Sequence, residues 1–425
     1  MIGRATPEAF ALAALLGWLL FLAILVDRPE LLVAAIPLAI AFLSVDRWRG
    51  PPRFRLSHAA SETQLAEGGR SAVTVSLAAH DRVPLAEILS VVPHPLHVVA
   101  GNNRTVQHAE VGHETSWSFA VGCPDHGRFD LGQAMVRFWD RSGLWVRETR
   151  IAEPLTIAVY PAVQPLLHVP QPLHTQSSFG NYVSARLGEG IEPGELRPFA
   201  PGDRVRRINW RATARRGELY VTRFQEERNA DIVLLLDTLS DCGAPPHSTL
   251  DQSVRAVASL AQAYLARRDR VGFLEFGGYL RWISPGTGGR QAQALIEALL
   301  PSATHFSYVA PRLDRVPPRA LPPQALVFAL TPLLDKRFAD ALTDLVARRF
   351  DVIVLATSPA EATRRSHVAT VTDDLACRIW ALEWRASLDR LRRQGVVIVE
   401  WDGMTSLDVL LAPLTHTRPQ LAARL

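Results

Sequence analysis

Residues 9–26, AFALAALLGWLLFLAILV, carry no charge, and no other stretch restricts the chain so severely. The run matches the ~18 apolar residues that a bilayer-spanning helix needs. In hydrocarbon every backbone N–H and C=O must be bonded within the segment, so such a run has to be helical. Asp27-Arg28-Pro29-Glu30 interrupts it, and LLVAAIPLAIAFLSV over residues 31–45 makes a second, shorter run. Pro37 lies inside that run, where membrane helices tolerate the kink. Arg47, Arg49, Arg53 and Arg55 follow at once, whereas the intervening loop holds one arginine and Arg4 precedes the first run. The positive-inside rule puts both ends of this pair in the cytoplasm. The expectation is a transmembrane hairpin over residues 1–50, multi-pass in the cell membrane, with everything after it facing the cytoplasm. A secretory signal is the rival; the second run and the lack of a small-residue cleavage site count against it.

Beyond the hairpin the composition is that of a folded protein with room for two or three domains. Charged residues make up 21% and the net charge is +4, too little to argue for nucleic acid as a partner. Cys123, Cys242 and Cys377 lie far apart with no C-x-x-C pair, which fits a reducing compartment and supports neither a disulfide framework nor a zinc site.

Residues 53–162 alternate apolar and polar side chains in short pieces: Val73–Leu77, Ser116–Val121, Ala134–Phe138 and Leu155–Val159. With turn residues between them, this spacing predicts an all-β sandwich of about seven strands. His94 and His97 form an H-x-x-H pair among prolines, without the companions a metal site needs. Residues 163–230 hold a linker, rich in Pro, Gln, His and Ser to about residue 190, and then an arginine-rich segment. From residue 231 strands and helices alternate. Strands are predicted at 231–237, 271–276, 326–330, 352–357 and 396–400, with 280–283 an antiparallel edge. Helices are predicted at 250–267, 290–300, 336–349 and 375–393. Such alternation makes a mostly parallel sheet covered on both faces, over residues 231–410. Residues 411–425 are expected to be a loose tail.

The arginine-rich segment, GEGIEPGELRPFAPGDRVRRINWRATARRGELYVTRFQEER, interleaves guanidiniums with carboxylates. Its order of residues resembles the bacterial family called domain of unknown function 58. His126-Gly127-Arg128-Phe129 and Trp139-Asp140-Arg141-Ser142-Gly143 resemble that family's patterns upstream, with Arg141-Ser142 standing where it usually has Pro-Phe. The matching motif positions include Arg197, Pro201, Gly202, Asp203, Arg207, Trp210, Arg211, Arg215, Glu218 and Glu227. Phe199, Ile208, Trp210 and Phe224 suggest a buried, salt-bridged brace; a docking surface is the alternative.

The resemblance implies that the last domain is von Willebrand A-like. That fold holds a metal ion at the carboxyl end of its sheet through an Asp-x-Ser-x-Ser loop. Here the loop is Asp237-Thr238-Leu239-Ser240-Asp241. Leu239 offers no oxygen ligand and Asp241 replaces the second serine. Thr331 and Asp335 follow a later strand. Asp237, Ser240, Asp241, Thr331 and Asp335 therefore make a degenerate site, with Mg²⁺ as the only cofactor in view. Gly286-Thr287-Gly288-Gly289 lacks the G-K-[ST] of a phosphate loop, and no catalytic constellation stands out. The resemblance implies a membrane-anchored, non-enzymatic adaptor or scaffold working with a MoxR-type AAA+ ATPase. A metal-dependent enzyme or a purely structural envelope component are the alternatives.

Overall fold

The computed structural model describes residues 3–28, 30–43, 53–81, 83–139, 143–172, 176–188, 192–200, 203, 205, 208–305, 307, 311–366 and 370–422. They fall into two compact units, Met1–Tyr160 and Pro161–Leu425.

The first unit opens with a short strand, β1 (Gly3–Ala5), and two helices, α1 (Pro7–Leu25) and α2 (Glu30–Leu43). Thr6 caps α1 by accepting from the Ala9 N–H, and Pro7 occupies the first turn, where its missing donor costs nothing. The 19 residues of α1 span ~28 Å at 1.5 Å per residue, so α1 is long and apolar enough to cross a membrane. The 14 residues of α2 reach only ~21 Å, and residues 44–45 of the expected second span lie outside the described residues. The two helices pack on each other, with Ala9, Ala23 and Ala35 buried. Their large side chains face outward: Trp18 is 63% and Ile24 82% exposed.

Strands β2 (Phe54–Ala60), β3 (Gln64–Ala66), β4 (Arg70–Ala79), β5 (Val83–Ser90), β6 (His97–Gly101) and β7 (Arg104–Ala109) follow, then β8 (Glu114–Gly122), β9 (Gly127–Asp130), β10 (Gln133–Trp139), β11 (Trp145–Ala152) and β12 (Thr156–Tyr160). The sheets run β2-β4-β8-β6, β1-β11-β10-β5-β7 and β3-β12-β9. Alternate residues of β4 (Val73, Val75, Leu77) meet Ile88 of β5 and Val136 and Phe138 of β10 in one core, the burial pattern of a sandwich. The strand count exceeds the expected seven. One addition has no counterpart in the expectation: β1 pairs antiparallel with β11, Gly3 opposite Arg147 and Ala5 opposite Trp145. The Thr6 N–H extends this edge by donating to the Leu144 carbonyl at 2.9 Å.

In the second unit, residues 161–172 do not behave as a linker. Val169 is buried, the Tyr264 hydroxyl donates to the Pro170 carbonyl at 2.8 Å, and Asp408 accepts from the Leu167 and His168 N–H groups. These proline-rich residues are tied down by partners roughly 95 to 240 positions away, which local sequence does not display. Strand β13 (Gln176–Gly188) also falls in the expected linker; with β14 (Glu192–Pro198) and β15 (Tyr220–Asn229) it forms the antiparallel sheet β13-β15-β14, and α3 (Trp210–Arg216) lies between the last two.

The rest follows the predicted alternation with two helices added: β16 (Asp231–Asp237), α4 (Thr249–Ala266), β17 (Arg270–Phe276), β18 (Leu280–Gly286), α5 (Gly288–Leu299), β19 (Leu326–Thr331), α6 (Lys336–Ala347), β20 (Asp351–Thr357), α7 (Pro359–Ser366), α8 (Val371–Arg393), β21 (Val397–Trp401) and α9 (Leu407–Ala422), the additions being α7 and α9. The six-stranded sheet has the order β18-β17-β16-β19-β20-β21 and is parallel except for its edge strand β18. Central strand β16 is buried on both faces. Ile232, Leu234 and Leu236 pack with α4, α5 and α9, while Val233 and Leu235 face the side covered by α6 and α8. Leu411, expected in a loose tail, is fully buried in the first of these cores because α9 continues the chain onto the sheet.

Candidate functional site

In an open parallel sheet the crevice for a ligand lies where neighbouring strands are connected in opposite directions, beyond their carboxyl ends. Here that point falls between β16 and β19, and the two strands end in Asp237 and Thr331. Their side chains meet: Thr331 Oγ1 donates to Asp237 Oδ2 at 2.5 Å, and itself accepts from the Leu333 N–H at 2.8 Å. Asp237 Oδ1 accepts from the Leu239 N–H at 3.0 Å. Asp237 is 1% exposed. Burial pushes its carboxyl up to about 7, against the pull of these two hydrogen bonds; Asp335 adds to the rise and Arg337 opposes it.

The other expected ligands are turned to different tasks. Asp241 accepts from Thr249 Oγ1 and the Leu250 N–H, both at 2.9 Å, at the start of α4. Asp335 caps α6 through the Arg337 N–H and takes the Arg337 guanidinium at 2.6 Å, which holds its carboxyl below the usual range. Ser240 Oγ is buried without a hydrogen bond among the described residues. Mg²⁺ needs about six oxygens in an octahedron. With Asp241 and Asp335 committed to the starts of α4 and α6, and Asp237 already accepting from Thr331 and Leu239, the donor set does not fit the ion. Next to it lies a network that spacing did not reveal: buried Glu275 accepts from Arg281 Nε at 3.0 Å, Ser302 Oγ at 3.3 Å and Thr238 Oγ1 at 3.4 Å.

The arginine-rich segment divides by the work its residues do. Arg197 pairs with Asp203 at 2.5 Å, and Asp203 also accepts from the Ala200 N–H at 2.9 Å, closing the turn. Asn209 caps α3 by accepting from the Ala212 N–H. Gly217 ends the helix at φ 75°, a left-handed conformation that glycine adopts without strain. Thr213 Oγ1 accepts from the Tyr220 N–H at 3.1 Å, seating α3 on β15. The N-W-R-A-T-A-R-x-G sequence is thus a short helix with both ends specified. Trp210 is not part of a buried brace: it is 65% exposed, as is Val205, and Leu196 and Leu219 are exposed too. Arg211, Arg215, Arg216 and Glu218 stand in solvent on the same segment. Pro201, Gly202 and Arg207 lie outside the described residues, as do the side chains of Phe224 and Glu227.

A third constellation joins distant turns of the first unit. His126 Nδ1 lies 3.2 Å from Glu67 Oε1 and 3.3 Å from Asp125 Oδ1. His126 and Glu67 are 59 positions apart, so only the fold displays this group.

Residues 195–364 match the family model described as "Protein of unknown function DUF58". The uncharacterized proteins Mb1516 of Mycobacterium bovis and Rv1480 of Mycobacterium tuberculosis are each 32% identical over 116 residues, 27% of this chain and 37% of theirs. The uncharacterized protein YeaD of Bacillus subtilis is 22% identical over 231 residues, 53% of this chain and 56% of that protein. The chain therefore spans about a third to a half of the length of these relatives. Among solved structures, the sporulation control protein Spo0M of Bacillus subtilis matches 25% of this chain and 49% of its own at 13% identity and a TM-score of 0.13, too low to carry an argument. With its capped helix, its closed Arg197–Asp203 turn and the sheet that follows, the segment from residue 195 to 364 belongs to the DUF58 family of proteins of unknown function.

Proposed function

We propose that the protein is a membrane-anchored, non-enzymatic adaptor that docks a partner protein on its arginine-rich surface. The observation that carries this is Trp210, 65% exposed on a helix whose ends are tightly specified. Asn209, Thr213 and Gly217 build α3, whereas Trp210, Arg211 and Arg215 face outward from it. Trp and Arg are the residue types that most often dominate protein interfaces. The partner implied by the family resemblance is a MoxR-type AAA+ ATPase. The six-stranded domain reads as von Willebrand A-like, because its central first strand, its strand order and its single antiparallel edge fit that fold.

In this reading α1 and α2 form the membrane hairpin, supported by the outward-facing apolar side chains of both helices. The pairing of β1 with β11 weighs against a cleaved signal, since cleavage after α1 would strip a strand from the sandwich. It also puts the residues before α1 on the side of the sandwich. An alkaline phosphatase fusion at Leu425 is expected to be inactive; activity would overturn the cytoplasmic orientation.

The docking test uses the purified full chain and the MoxR-type ATPase of the same organism. Trp210→Ala and Arg211→Ala are expected to weaken binding at least tenfold, with Asp237→Asn and added chelator without effect. Equal binding by wild type and Trp210→Ala, or no binding by folded chain, overturns the proposal.

A further inference from the structure

Glu67, Asp125 and His126 bring two carboxylates and an imidazole to one point of the sandwich. Their donor atoms all lie within 4.8 Å of one another, and the three side chains are nearly buried, at 6%, 11% and 4% exposure. Zinc bound to N and O ligands at ~2.0–2.2 Å in a tetrahedron holds neighbouring donors about 3.3–3.5 Å apart. The two distances from His126 Nδ1, 3.2 and 3.3 Å, already have about that length.

The backbone beneath these donors is fixed from two sides. The Glu67 N–H donates to the Tyr160 carbonyl at 3.0 Å and the Gly68 N–H to the Cys123 carbonyl at 2.7 Å. Gly68, at φ +75°, permits the turn between β3 and β4. Across from it, the Cys123 thiol donates to the Asp125 carbonyl and the His126 N–H to Asp125 Oδ1, both at 2.9 Å. Donors held by such a second layer need little reorganisation to receive an ion. One imidazole with two carboxylates suits zinc; Mg²⁺ and Ca²⁺ favour all-oxygen sites. The competing occupant of the same geometry is a proton, making His126 an imidazolium between two carboxylates.

We infer that Glu67, Asp125 and His126 bind a divalent transition metal of the zinc class, which clips the β3–β4 turn to the β8–β9 turn and leaves a fourth position for water. The inference is independent of the adaptor reading. To test it, the untagged full chain in detergent is stripped with chelator, dialysed against Zn²⁺ and analysed for metal. One zinc per chain is expected, at least tenfold more weakly held in His126→Asn and in Glu67→Gln, with a tetrahedral Co²⁺ spectrum in the wild type alone. Zinc is also expected to raise the thermal midpoint of the wild type and of neither variant. The two substitutions guard against one failing to fold, and the zinc dependence of the wild-type midpoint decides if both fail. No retained zinc, equal zinc in all three proteins, or a wild-type midpoint indifferent to zinc would overturn the inference.

Discussion

At the rim of the six-stranded sheet, polar side chains turn toward one another. Thr331 donates to Asp237, Arg337 holds Asp335, and Asp241 is spent on the start of α4. On the arginine-rich segment Arg197 pairs with Asp203 and small residues cap α3, while Trp210, Arg211 and Arg215 point into solvent. The fold places ligands at the first region, yet its carboxylates are already bonded within the protein, and of the expected ligands only the Ser240 hydroxyl lacks a partner among the described residues. The family model covers both, and it is the second that presents Trp210 and Arg211 to solvent. A position typical of ligand sites is therefore a weaker guide than what its side chains are already bonded to.

The strongest way to break this contrast is through Asp237. Its folded pKa is raised above the unfolded value, so its contribution is fully present below about pH 4 and is lost as pH rises through about 7. A rise from 3.8 to about 7 corresponds to about 4 kcal/mol. Denaturant unfolding at pH 4.5 and pH 8 should therefore show Asp237→Asn gaining stability over wild type as pH rises. A wild-type advantage at pH 8 would mean that the carboxylate has a cationic partner and that the rim is a working ion site.

A smaller effect is expected at Thr331. Thr331→Val keeps the shape but removes the donor to Asp237 and the acceptor for the Leu333 N–H, leaving buried groups unpaired. The loss should be about 1–3 kcal/mol. No loss would mean that the rim rearranges freely and is less closed than its bonds suggest.

The smallest stability effect sharpens the other side. Trp210→Ala should change unfolding by less than about 0.5 kcal/mol, as exposed substitutions do, while weakening partner binding. A loss of about 3 kcal/mol would signal a buried aromatic and return Trp210 to the interior.

The sheet was legible because β16 is apolar on both faces and the later strands repeat that pattern between amphipathic helices. Even the antiparallel edge showed in the sequence, expected at residues 280–283 and observed over Leu280–Gly286. Trp210 was misplaced because a large aromatic is buried on average, and average burial says nothing about a seven-residue helix standing on a sheet. Residues 161–172 read as a linker because Pro170 and Leu167 use their backbones, not their side chains, to bind α4 and α9. The metal-like group at Glu67, Asp125 and His126 needed the pairing of two remote turns. At the rim the residue types were readable, but which carboxylate faces which hydroxyl was not.

Strand β1 carries a consequence for how the chain is made. Thr6 finds its partner, Leu144, 138 positions downstream, and a ribosome adding ~5–20 residues per second needs roughly 7 to 28 seconds to get there. Through that interval Gly3–Ala5 has no sheet to join, although the apolar helix behind it has already been synthesised. When β11 does appear, it presents an open edge, the kind of surface that recruits foreign strands, until the waiting segment closes it. One of the earliest strands translated is thus among the last to be paired, and the sandwich seals its own edge only after nearly all of its sequence has left the ribosome.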